Sequence, residues 1–139
     1  MASTLKINTL TGVSTAGSIA VTGEGNSTTT NLQQGLCKVW VNMDAGQNAN
    51  NSLNVTSLTD VDTGAHTINY TNNMANVRPI PQMLPKEDTD ETHTDIPDRI
   101  ANPARMPYTT SELKVVTINL SSQRVDLTET TVTVHGDLA

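Results

Sequence analysis

Apolar and polar residues alternate along most of this chain with a period of two. In Leu36–Met43, Cys37, Val39, Val41 and Met43 fall on one face, and Leu36, Lys38, Trp40 and Asn42 on the other. In Ser52–Leu58, Leu53 and Val55 alternate with Ser52, Asn54 and Thr56. In Ala65–Thr71, His66, Ile68 and Tyr70 alternate with Thr67, Asn69 and Thr71. Alternation bounded by Asn, Asp and Gly predicts half-buried antiparallel strands. Asp44–Asn51 reads as a first turn and Thr59–Gly64 as a second that closes a hairpin, since these residues tolerate left-handed backbone angles. Leu113–Leu120 carries apolar residues on both faces and reads as a central strand. Val125–Leu127 reads as a turn or short strand, and Thr130–His135 alternates again, with Val132 and Val134 on one face. No helix of ordinary length is predicted. Apolar faces of this extent need a second sheet or a second subunit to cover them.

Two stretches depart from the pattern. In residues 1–34, Thr4–Leu10 can form a short strand with Leu5 and Ile7 on one side. The Gly-, Ser- and Thr-rich segment after it cannot bury enough to fold compactly alone. Residues 1–34 are therefore expected to be an extended attachment segment, and 35–139 the β domain. The second stretch, residues 76–112, holds every proline of the chain: Pro79, Pro81, Pro85, Pro97, Pro103 and Pro107. Proline removes a ladder donor and fixes its own backbone angle. An acidic run, Lys86–Asp95, sits at the centre, and Ile80, Met83, Leu84, Ile96, Ile100 and Met106 are spaced as separate anchors. The stretch reads as an exposed loop or as an extended arm that reaches a neighbouring subunit or a particle.

Composition narrows the picture. The chain has 139 residues, 35% apolar, with one Trp, two Tyr and no Phe. A core without large rings is thin, and a thin core in a chain of this length suggests that subunits share burial, as a homo-oligomer. The formal charge of −6 opposes a phosphate-tracking surface, so no nucleic-acid partner is expected. No apolar run reaches the length of a membrane span. The segment MASTLKINTL lacks the charged start and apolar stretch of a secretory signal. Cys37 is alone and, on an apolar face, reads as a buried thiol.

Candidate chemistry is sparse. Asp60, Asp62 and Gly64 give a fragment of a calcium loop without the distal bidentate Glu, which suits turn chemistry better. Glu87, Asp88, Asp90, Glu91, His93 and Asp95 read as a solvated acidic loop rather than a cation site. His66, His93 and His135 lack zinc spacing. No nucleophile elbow, phosphate loop or dinucleotide fingerprint is present, so no catalytic residue, cofactor or metal is expected. Trp40 is expected to be buried in the core or at an interface, with stacking on a sugar ring as the competing role.

Three blocks carry a resemblance. LCKVWVNMDAG, SLNVTSLTDVDTGAHTINYTNNMAN and VTVHGDLA, with LKINTL near the start, resemble small tail-fibre-like virion proteins of marine and aquatic bacteriophages. Leu36–Met43, Asn54–Tyr70 and Val132–Asp137 match that group's blocks, while Met43, Tyr70 and His135 stand where it usually has Phe. Residues 76–112 have no counterpart. The resemblance implies a mostly β, homotrimeric structural protein on the exterior of a phage particle. The expected fold is then an all-β, jelly-roll-like antiparallel β-sandwich with an extended N-terminal segment and a proline-rich arm. The expected role is a short fibre, spike or capsid-surface decoration that contacts other phage virion proteins. Trp40, Ile80, Met83, Leu84, Ile96, Ile100 and Met106 are the expected oligomer or particle contacts. The rival is a receptor adhesin that binds host-surface glycan. A polysaccharide hydrolase would need paired carboxylates in a groove.

Overall fold

The computed structural model describes residues 4–13, 19–23, 28–44, 46, 48–86, 99–103, 109–119, 121–126 and 128–139. The chain divides into two compact units, Met1–Leu36 and Cys37–Ala139.

The first unit holds a small antiparallel hairpin of β1 (Ala20–Thr22) and β2 (Thr29–Asn31), followed by a single helical turn, α1 (Leu32–Gly35). The Gly23 N–H donates to Thr28 O at 2.9 Å, and Leu32 N–H to Ile19 O at 2.9 Å. Thr4–Leu10, expected as a short strand, is irregular, and Leu5, Ile7 and Leu10 are exposed. A strand needs a partner for its backbone groups, and none of the described strands lies beside this segment.

The second unit is all-β and antiparallel throughout. Its strands are β3 (Cys37–Asp44), β4 (Ala49–Leu53), β5 (Val55–Asp62), β6 (Ala65–Tyr70), β7 (Ile80–Lys86), β8 (Arg99–Pro103), β9 (Glu112–Asn119) and β10 (Glu129–His135). They form two four-stranded sheets, a first with order β4-β3-β10-β7 and a second with order β5-β6-β9-β8. One apolar cluster draws on both. Val39, Val41, Met43, Val132 and Val134 come from the first sheet, and Ile68, Tyr70, Leu113 and Val115 from the second. Met74 joins them, and Val55, Leu58 and Met83 pack against the cluster. The buried positions are the alternate residues that the sequence pattern marks, as the two-residue period of a strand requires.

The boundaries differ from expectation at three corners, the first being Asp44–Asn51, where β3 runs to Asp44 and β4 already starts at Ala49. The run Ser52–Leu58 is two strands, because Asn54 stands between β4 and β5 with φ of 60° and passes the chain from one sheet to the other. The second turn is only Thr63–Gly64, since β5 continues to Asp62. Leu113–Leu120 is central as expected: β9 lies between β6 and β8.

The proline-rich stretch does not stand clear of the sheets where it is described. Residues 80–86 form β7, an edge strand of the first sheet, and 99–103 form β8, an edge strand of the second. Pro81 lies opposite Val134 and Pro85 opposite Thr130. The two prolines share one parity, so the ladder to β10 runs through the even positions and the missing donors fall along the open edge. The acidic residues and His93 of the run 87–98 lie outside the described residues.

Candidate functional site

Burial of alternate residues turns the others outward, and the two sheets present different outer faces. The second sheet's outer face mixes polar groups that bond one another with the apolar residues Ala65, Val116 and Ile118. Asn69 Nδ2 donates to Ser57 Oγ and to Thr59 Oγ1, each at 3.1 Å. Lys114 Nζ lies 3.5 Å from Glu112 Oε1, two residues back on the same strand, β9.

The first sheet's outer face is apolar in patches. One row crosses it as Leu53, Trp40, Thr133 and Gln82, by the pairing of β4, β3, β10 and β7. The next row holds Asn42, Thr131 and Leu84. Leu53 is 48% exposed, Ile80 65% and Leu84 72%. Trp40 is half-buried among them and takes no part in the core cluster. At one end of the face Asp44 and Glu129 are directly opposite each other, and Glu129 Oε1 accepts from Asn42 Nδ2. At the other end stand Lys38 and the pair His135–Ile80.

The expected contact residues therefore separate. Trp40, Ile80 and Leu84 share this outer face. Met83 turns inward and packs on the core. Ile100 stands on β8 opposite Ile118. Ile96 and Met106 lie outside the described residues. Leu53 belongs to the face too. The sequence pattern hides it, because Leu53 and Val55 look like one strand until Asn54 turns the chain between them.

The acidic turn around Gly64 is held by partners of its own. Arg124 Nη1 bonds Asp62 Oδ2 at 3.2 Å, and the Gly64 N–H donates to Asp126 Oδ1 at 2.6 Å. The Thr117 N–H donates to Gly64 O at 2.8 Å. These bonds are turn chemistry, and among the described residues no group of three or more His, Cys, Asp or Glu could hold a metal ion. Among the described helices none is long and apolar enough to cross a membrane. The Cys37 thiol is half-buried and donates to Val39 O at 2.9 Å. His66 is buried on the core side of β6 beside Val115, and its Nδ1 has no hydrogen-bond partner. Asp44 has its carboxyl held below the usual carboxylate range. The cause is the backbone N–H of Asn48, 2.8 Å from Oδ1, helped by the Asn48 side-chain amide. Compared with known protein families, curated proteins and solved structures, the chain matches none of them.

Proposed function

We propose that this chain is a structural protein of a bacteriophage particle, a short fibre, spike or capsid-surface decoration on the exterior, working by assembly rather than by chemistry. In this reading the two sheets are the layers of a β-sandwich. The jelly-roll likeness goes as far as the pairing of β3, the unit's first strand, with β10, its last. The hairpins β3–β4 and β5–β6, each within one sheet, depart from it.

One observation carries the reading. The three sequence blocks that resemble phage fibre-like proteins fall on β3, on the β5–β6 hairpin and on β10. β3 and β10 are the central pair of the first sheet, and β6 is central in the second. The matched blocks thus take in three of the four inner strands and the edge strand β5, with β9 outside them, while the unmatched stretch supplies the edge strands β7 and β8. Mass spectrometry and antibody labelling of purified particles test it. The chain should be present in stoichiometric copy number and labelled on intact particles. Its absence from washed particles would overturn the proposal. Glycan binding is the second reading, supported by Trp40 on an outer face beside Asn42 and Thr133; a glycan array with a Trp40→Ala control separates it.

A further inference from the structure

We draw no further inference here: the strongest candidate, the outer face of the first sheet, where Leu53, Ile80 and Leu84 are exposed around the half-buried Trp40, is an unpartnered apolar face, and nothing in the structure shows what covers it.

Discussion

Asn54 turns the chain from one sheet into the other in a single residue, and its side chain holds the corner it makes. The Asn72 N–H donates to Asn54 Oδ1 at 2.7 Å, Asn54 Nδ2 donates to Asn72 O at 3.1 Å, and the Thr71 N–H donates to Asn54 O at 3.1 Å. Asn tolerates the left-handed backbone at φ 60° better than most residues with a Cβ. Backbone and side chain can be separated by two substitutions. Asn54→Gly keeps the conformation and loses the clasp, for about 1–2 kcal/mol. Asn54→Ala loses the clasp and adds the left-handed penalty, for about 1–2 kcal/mol more. Urea unfolding should rank them in that order; equal costs would mean the backbone angle carries no strain. Gly64 is the stricter position. With φ of +62°, a Cβ there would meet Thr117 O, Val125 N and Val125 O, each at 2.7 Å. All three are backbone atoms of the segment that clamps the turn, so none can step aside alone. Gly64→Ala should cost on the order of 3–4 kcal/mol, from the left-handed penalty and overpacking together, and show as a lowered urea midpoint.

The strands themselves were legible in the sequence, and the reasons some elements were not are physical. The runs at β3, β6, β9 and β10 alternate cleanly, and the buried residues Val39, Val41, Ile68, Leu113, Val132 and Val134 are those the pattern marks. Trp40 misleads because Val39 and Val41, its sequence neighbours, are on the opposite side of the strand. They report on the core face, not on its own. The proline-rich stretch misleads because proline breaks a central ladder but not an edge one, and β7 is an edge. Replacing residues 79–107 with a short Gly/Ser linker would therefore remove one strand from each sheet, along with the packing of Met83. Thermal unfolding followed by circular dichroism should lose its cooperative transition; a retained transition would mean both strands are dispensable. The turn between β3 and β4 has a pH dependence of set sign. The Asp44 carboxyl is held low by the Asn48 N–H, so its contribution is present above the unfolded value and lost as pH falls through the lowered folded value. The Asn48 amide resonance should shift in that acid window in the wild type and stay put in Asp44→Asn.

At the scale of the whole chain, the two units differ in what holds them. The second has one cluster fed by both sheets, with Val39, Val41, Ile68, Val132 and Val134 fully buried. Opening any of β3, β6, β9 or β10 exposes that cluster, so these strands should open together. The first unit has a hairpin of two three-residue strands whose Ala20, Val21 and Thr22 are all exposed. A two-stranded hairpin without a buried face is at best marginally stable in water. Hydrogen exchange should therefore divide the molecule. Core-strand amides such as those of Val41, Ile68 and Val132 should exchange only through global unfolding, at rates that track urea stability. Amides of β1 and β2 should exchange by local opening, orders of magnitude faster and without dependence on low urea. The Gly64→Ala variant sharpens the comparison, because it should speed exchange in every core strand by a common factor and leave β1 and β2 unchanged. If β1 and β2 were protected as strongly as β3 and slowed or quickened with it, the two units would be one cooperative body. The hairpin would then need a partner surface that its own exposed side chains do not reveal.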